Sequence, residues 1–482
     1  MTSRPYSRRR FLGETSCAAV SSIPVLSSLL NLSVTGKLAA ADADGGYRAL
    51  VCVFFAGGND SFNMLAPYDA AHYAEYAASR ADLALPTSQL IQITPDNTPG
   101  RTFGVHHRMP NLAARFAAGD AAFIANVGTL IEPVQNRLQV AQNLRRLPLG
   151  LYSHSDQVEQ WQTSVPHARS GIGWAGRMAD LIKQLNADPR VSMNVSFDGS
   201  NVWQTGHSVA EYAVSAGNSQ EPNGGAIALA PYQQLWQPNQ PLPQSATAAI
   251  DSQLALEYTN LLQQTFVQKR RAARDAFKLY DDATKPALPG NISFPNTQLG
   301  RQMQMVARTI NGRQALGACR QTFFVNRGGW DHHNEVLGNQ DAMLPEVDDA
   351  LGALWAALVA MGVQDQVVIY SASDFGRTLT SNARGSDHAW GGNQFVIGGA
   401  VHGKKIYGAY PSLAVNPDSG PEVNPLDTGR GRFIPTTSVD EFFAEMALWL
   451  GVAPSDLASV LPNIGNFYSP GSGPPPIGYL LG

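Results

Sequence analysis

The sequence predicts an α/β fold, a three-layer α/β/α sandwich on a mainly parallel sheet. Three observations carry this expectation. Short apolar runs rich in β-branched and aromatic residues recur along the chain, as in strands covered on both faces. Segments of helical period lie between them, which is the alternation of a parallel sheet. And 45 glycines with 31 prolines supply the shaped loops such a fold needs.

The elements follow in chain order. Residues 1–43 read as an export signal and not as structure. Ser7-Arg8-Arg9-Arg10-Phe11-Leu12-Gly13 has the twin-arginine form, a weakly apolar segment follows to about Val34, and small residues end it at Ala41 or Ala43. The expected destination is periplasmic or secreted, with the twin-arginine translocation machinery as the partner during export. That route carries folded proteins, which suits a metal loaded before export. Strands are expected at Arg48–Ala56, Ala121–Val127, Val191–Phe197, Gln321–Val325, Val367–Ser371 and Gln394–Ile397. Helices are expected at Pro110–Ala118, Gly176–Leu185, Asp251–Tyr280, Arg301–Leu316 and Leu344–Met361. A last helix, Phe442–Leu450, follows the capping-box spacing of Ser438 and Glu441. Residues 44–465 are read as a single domain with an excursion at about 206–250, rich in Gly, Asn, Gln, Pro and Ser. Residues 466–482 form a Pro/Gly-rich tail expected to run extended along the surface.

Composition narrows the function. The chain has 482 residues, 44% apolar, 15% charged, formal net charge −4 and pI ≈ 6.2. Charge this near neutral argues against a dedicated nucleic-acid binder, which shows a basic face. No apolar run reaches the ~18 residues of a membrane-spanning helix, so no transmembrane anchor is expected in the mature chain. Cys17 lies in the signal, leaving Cys52 and Cys319. Two cysteines make no disulfide framework, so a large core must hold the fold. Cys52, inside an apolar run, reads as a small core residue.

Ligands of a parallel sheet bind beyond the C-terminal strand ends. There the chain presents Gly57-Gly58-Asn59-Asp60, then Trp330-Asp331-His332-His333-Asn334-Glu335, then Ser373-Asp374-Phe375-Gly376-Arg377. Asp387-His388 precedes the run at Gln394. Singly these read as turns or caps. Together they bring carboxylates and imidazoles to successive sheet-edge positions. Mixed ligands of this kind suit Zn²⁺, or Mn²⁺ or Fe, over Mg²⁺ or Ca²⁺. Tyr152-Ser153-His154-Ser155-Asp156 reads as a helix start, capped by Ser or Asp. Its functional reading puts Ser155 or Ser153 at a helix N-terminus that stabilises anions, as a nucleophile beside a metal, with His154 between them.

These motifs, FFAGGNDSFN, YSHSDQVEQWQ, GRMAD, GGWDHH, SDFGRT and DHAWGG in this order after a twin-arginine signal, resemble the DUF1501 family of exported bacterial proteins, considered related to the alkaline phosphatase and sulfatase superfamily. The resemblance covers nearly the whole mature chain. It implies an alkaline-phosphatase-like sandwich with a metal centre at the sheet edge. It also implies site roles: Asp60 as the first ligand, Ser155 or Ser153 as nucleophile, Asp331 with His332 or His333, then Asp374, and His388 last. Two positions depart from the superfamily pattern. The spacing after Asp331 reaches Glu335 in place of a histidine, and Asp374 is followed by Phe375, so one second-metal ligand is missing or replaced and the number of ions, one or two, stays open. Arg377 is positioned to neutralise an oxyanion. A sulfatase-type modification pentapeptide is absent, Ser164-Val-Pro-His-Ala-Arg169 being one residue too long.

Two functions remain. One is an exported hydrolase of phosphate esters, or secondarily sulfate esters, small or polymer-linked, with metal held by Asp60, Asp331, His332 or His333, Asp374 and His388. The other is an exported binding or scaffold protein on the same fold with a degenerate site. A nicotinamide enzyme is disfavoured, because no glycine-rich phosphate turn follows the first strand.

Overall fold

The computed structural model describes residues 46–220, 224–226, 249, 252–471 and 473–480. The expected export signal and most of the excursion lie outside the described residues. Tyr47–Gly482 pack as one unit. Among the described residues no helix is long and apolar enough to cross a membrane.

Strand β1 is Arg48–Phe55, followed by β2 (Leu65–Pro67), β3 (Leu90–Ile93) and β4 (Phe103–His106), which form a small antiparallel sheet. The large sheet continues with β5 (Ala121–Gly128), β6 (Asn194–Ser196), β7 (Tyr212–Ser215) and β8 (Gly225–Ala226). It ends with β9 (Arg320–Asn326), β10 (Val367–Ser373), β11 (Gly392–Ile397), β12 (Ile406–Tyr407) and β13 (Thr437–Ser438). The order is β12-β5-β11-β10-β1-β9-β6-β7-β8, with β13 also on β5. Only β8 and β11 oppose their neighbours, so the sheet is mainly parallel as expected.

The helices that matter are α1 (Ala70–Arg80), α2 (Pro110–Ala118), α3 (His154–Thr163), α4 (Trp174–Ile182) and α5 (Leu261–Thr284). After them come α6 (Gln298–Asn311), α7 (Val336–Ala360), α8 (Val439–Leu450) and α9 (Leu457–Val460). The pleat of β1 shows why there are three layers. Val51, Val53 and Phe55 face one core with Leu112 of α2, Tyr280 of α5, Met303 of α6 and Leu354 of α7. Leu50, Cys52 and Phe54 face the other, with Trp161 of α3, Trp174 of α4, Phe443 of α8 and Leu457 of α9. A strand buried on both faces must be apolar along its buried length, which is what Ala49–Phe55 of RALVCVFF is, with Arg48 part-buried at its start. Cys52 is a buried free thiol.

Several boundaries differ from expectation, each for a local reason. Helix α7 begins at Val336, eight residues before Leu344, and carries Pro345 in its interior. The expected Asp251–Tyr280 helix breaks, and α5 starts afresh where the Asn260 side chain accepts from the Leu262 and Gln263 N–H groups. Only Asn194–Ser196 of the Val191–Phe197 run joins the ladder. The capping box forms as read, Ser438 and Glu441 bonding reciprocally. The tail does not stay on the surface to its end. Ile477, Gly478, Tyr479 and Leu480 donate their N–H groups to the Glu445 carboxylate of α8, and Tyr479 is buried.

Candidate metal centre

The C-terminal edges of β1, β9 and β10 lie side by side, since β1 pairs in parallel with both neighbours. Gly57 and Gly58 turn the chain away from β1 at φ +119° and +83°. No side chain fits either position. A Cβ on Gly57 would stand 2.6 Å from the Asp331 nitrogen, and one on Gly58 2.5 Å from the Phe375 ring. The close approach lets the Gly57 N–H donate to Asp374 Oδ1 at 3.0 Å. Asp374, just past β10, is buried, and its Oδ2 meets His154 Nδ1 at 2.7 Å. His154 is the first residue of α3.

His388 arrives by another route. It precedes β11, and β11 runs antiparallel to β10, so the start of β11 lies at the same sheet edge as the end of β10. A bridge between Arg377 and His388 holds the two segments together. His388 Nδ1 lies 2.8 Å from the Tyr152 carbonyl. His333, after β9, points Nδ1 at Asp387 Oδ1 at 3.0 Å.

The proton count follows from these partners. A carbonyl and a carboxylate only accept, so Nδ1 carries the hydrogen in His154, His333 and His388. In the neutral rings each Nε2 is then a bare lone pair. All three turn towards Asp331. Its Oδ1 lies 3.1 Å from His333 Nε2 and 3.2 Å from His388 Nε2, and those two nitrogens are 3.0 Å apart. His154 Nε2 is 3.5 Å from Asp331 Oδ2. Arg377 already brings one positive charge to Asp331 Oδ1, and the two imidazole nitrogens 3.0 Å apart still need a proton or a cation between them. Three ligands at about 2.0–2.1 Å from a tetrahedral ion stand about 3.3 Å apart, close to this triangle. Each imidazole also has the outer hydrogen bond that orients metal-binding histidines.

Electrostatics match. Partial burial pushes Asp331 up, but the Arg377 hydrogen bond and charge, with His333 and His154, hold it below the ordinary carboxylate range. Burial also pushes Asp387 up, yet hydrogen bonds from Asn382, Arg430 and His333 bring it down to about 2. The bond to Asp374 raises His154, and burial lowers His388 against the pull of the Tyr152 carbonyl. Phe375 packs against the rings of His154 and His388 at 4.8 and 4.5 Å, and those two rings meet each other edge to face at 4.4 Å.

A family model described as "Protein of unknown function (DUF1501)" matches residues 47–427. The chain belongs to the DUF1501 family. Among solved structures it is similar to Ps i-CgsB in complex with k-i-k-neocarrahexaose, at 10% identity and TM-score 0.34, covering 87% of this chain and 77% of that one. The PsFucS1 sulfatase from Pseudoalteromonas sp. follows at 11% identity and TM-score 0.32, covering 79% and 68%. The phosphonate monoester hydrolase of Agrobacterium radiobacter stands at 13% and 0.31, covering 76% and 72%. No curated protein matches.

In this DUF1501 chain the residues singled out in the sequence divide in two. Asp331, His333, Asp374, His388 and His154 come together. Asp60 does not join them: its carboxylate is fully buried in an ion pair with Arg80 of α1, also fully buried. Of the two histidines left open after Asp331, His333 faces the cluster. The His332 ring is buried, with neither nitrogen at full hydrogen-bonding geometry although the Gly329 backbone lies close, and burial lowers its pKa. Ser153 and Ser155 pair with each other at 3.2 Å and make no hydrogen bond to the cluster. Arg377 is fully buried. It donates to the carbonyls of Gly57, Gly58, Trp330 and Ser386 and to Asp331, so it ties strand ends together and has no face for a substrate oxygen.

Three participants escaped the sequence reading. Asp387 orients His333, and its adjacency to His388 was the available signal. Arg430 binds Asp387 Oδ2 at 2.6 Å from a Gly-rich loop with no motif to mark it. Tyr152 contributes only a carbonyl, aimed by a positive φ of 72° that the side chains of Gln157, Thr428 and Arg432 hold in place.

Proposed function

We propose that this chain is an exported metal-dependent hydrolase of phosphate esters, with sulfate esters as the secondary class. The observation that carries the reading is the convergence of His333 Nε2, His388 Nε2 and Asp331 Oδ1 on one point at the sheet edge. The export part rests on the twin-arginine segment.

Asp331, His333 and His388 would hold the metal. Two imidazoles and a carboxylate suit Zn²⁺, with Mn²⁺ or Fe as the other candidates. A divalent ion there supplies Lewis acidity towards an ester oxygen, and three protein ligands leave a position open for it. The chain's own groups do the rest. Asp387 and the Tyr152 carbonyl fix the ring orientations of His333 and His388. Arg377 holds Asp331 ionised and fixed. Asp374 fixes His154, and the Phe375 ring packs against both His154 and His388.

The test is elemental analysis of protein purified without chelators, with hydrolysis of an aryl phosphate and an aryl sulfate. Near-stoichiometric metal is expected, with turnover of the phosphate above the sulfate and both metal and turnover lost in Asp331→Ala. No metal, and no turnover after Zn²⁺ or Mn²⁺ loading, would sink the reading.

A second reading, an exported binding or scaffold protein without turnover, draws on one observation: neither serine hydroxyl bonds to the cluster. It requires Asp331→Ala and Asp374→Ala to leave glycan or partner binding intact.

A further inference from the structure

The chain places an imidazole where a hydroxyl nucleophile was sought. We propose that His154 is the nucleophile of this site and takes the phosphoryl group on Nε2; the proposal rests on the phosphate-ester reading above.

Four features of the structure carry it. First, the His154 ring is fixed. Its Nδ1–H donates to Asp374 Oδ2 at 2.7 Å, and Asp374 is itself buried and held through Oδ1 by the Gly57 N–H at 3.0 Å. A carboxylate on Nδ1–H makes Nε2 electron-rich and keeps it unprotonated in the neutral ring. Second, His333, His388 and Asp331 offer a ligand triangle without His154, although His154 also lies within ligand range of Asp331 and His388. His333, His388 and Asp331 Oδ1 stand 3.0–3.2 Å from one another, while His154 Nε2 lies 3.5 Å from the other oxygen of Asp331. Third, both neighbouring hydroxyls are turned to each other, Ser153 to Ser155 at 3.2 Å, and Ser155 is exposed. Fourth, His154 opens a ten-residue helix whose cap residue, Ser153, makes no side-chain bond to it. The N–H groups of His154, Ser155 and Asp156 meet no acceptor among the described residues, so phosphoryl oxygens beside Nε2 would find donors there.

The chemistry balances with water as the only co-reactant. The Nε2 lone pair forms an N–P bond as the ester P–O bond breaks. Its electron pair leaves with the alcohol oxygen, which takes a proton from water. Asp374 keeps the Nδ1 hydrogen and faces the positive charge that develops on the ring. A water oxygen then adds to phosphorus, the N–P pair returns to Nε2, and the water's proton passes to solvent. The products are the alcohol and inorganic phosphate.

The linkage makes the test selective, because a phosphoramidate on histidine survives alkali and is lost in acid, whereas a serine phosphate survives acid. The zinc-loaded full chain is pulsed with 4-nitrophenyl phosphate, quenched in alkali and mapped by peptide mass spectrometry. One phosphoryl group is expected on the peptide carrying His154, removed by acid. His154→Ala and His154→Gln should lose the adduct and about 10³-fold or more of turnover while keeping wild-type zinc content. An acid-stable phosphoryl group on Ser153 or Ser155, or turnover in His154→Ala within tenfold of wild type, overturns the proposal and leaves the esterase reading standing. Loss of zinc from both His154 variants overturns it too, by making His154 a ligand. A wild-type chain that binds zinc yet shows neither turnover nor adduct overturns the proposal and the esterase reading together.

Discussion

Asp387→Ala should weaken metal binding without unfolding the protein. Asp387 touches no point of the proposed triangle itself. Its Oδ1 accepts from His333 Nδ1 at 3.0 Å and from Asn382 Nδ2 at 3.0 Å, and its Oδ2 from Arg430 at 2.6 Å. Removing it frees the His333 ring to rotate and to exchange its tautomer, so Nε2 no longer waits as a lone pair. Loss of such an outer partner typically costs about 10–100-fold in metal affinity, or roughly 1.4–2.7 kcal/mol. The Arg430 pair adds little, because that side chain is 42% exposed and exposed pairs contribute about 0–1 kcal/mol. The measurement is competitive zinc titration of wild type, Asp387→Ala and Arg430→Ala, with melting curves of the apo proteins alongside. Zinc affinity of Asp387→Ala within about threefold of wild type would refute the reasoning. So would an equal loss in Arg430→Ala, which would move the effect from ring orientation to general charge.

Three further outcomes are expected. Asp440, in the first turn of α8, is fully buried with neither oxygen at hydrogen-bonding geometry to a donor, although Ser164 and the backbone at Asn463 lie close enough to temper the effect of burial. Burial lifts its pKa from 3.8 to about 7, so the folded state keeps a proton that the unfolded chain releases. Stability from this group is therefore full below about pH 4, falls as pH rises towards 7, and stays flat above; Asp440→Asn should remove up to about 4 kcal/mol of that slope, read from denaturant midpoints between pH 4 and 8. Arg80→Met leaves the Asp60 carboxylate buried and unpaired, and should cost about 3–5 kcal/mol in equilibrium unfolding. Gly58→Ala forces a Cβ to within 2.5 Å of the Phe375 ring at a φ of +83°. It should cost about 2 kcal/mol or more and lower zinc affinity as the ring is pushed against His154 and His388.

The hydrolase reading and the nucleophile proposal place different demands on the same few residues. Metal retention belongs to Asp331, His333 and His388. Covalent labelling belongs to His154 and Asp374. Variants on either side of that division separate binding from chemistry.

The sequence by itself determined the layers and the edge. An apolar run such as Arg48–Phe55 can only be a covered strand, and polar groups in a parallel sheet have nowhere to gather but the strand ends. Asp331 and Asp374 were legible on those grounds, and the neighbourhood of His154 as a helix start. Tertiary structure alone decided which atoms converge. Asp60 sits at the right strand end, yet Arg80, twenty residues later on α1, takes its carboxylate. His332 and His333 are adjacent in the chain, and only the backbone path after Gly329 decides which ring turns outward. His388 lies before its strand and reaches the edge only because β11 runs antiparallel, a direction that no local pattern encodes. Arg377 looks like an anion-binding group until its donors are found occupied by carbonyls from three separate segments. Periodicity and turn chemistry are local properties of a chain, whereas hydrogen-bond partnership across it depends on register and strand direction, and those are fixed only when the layers pack.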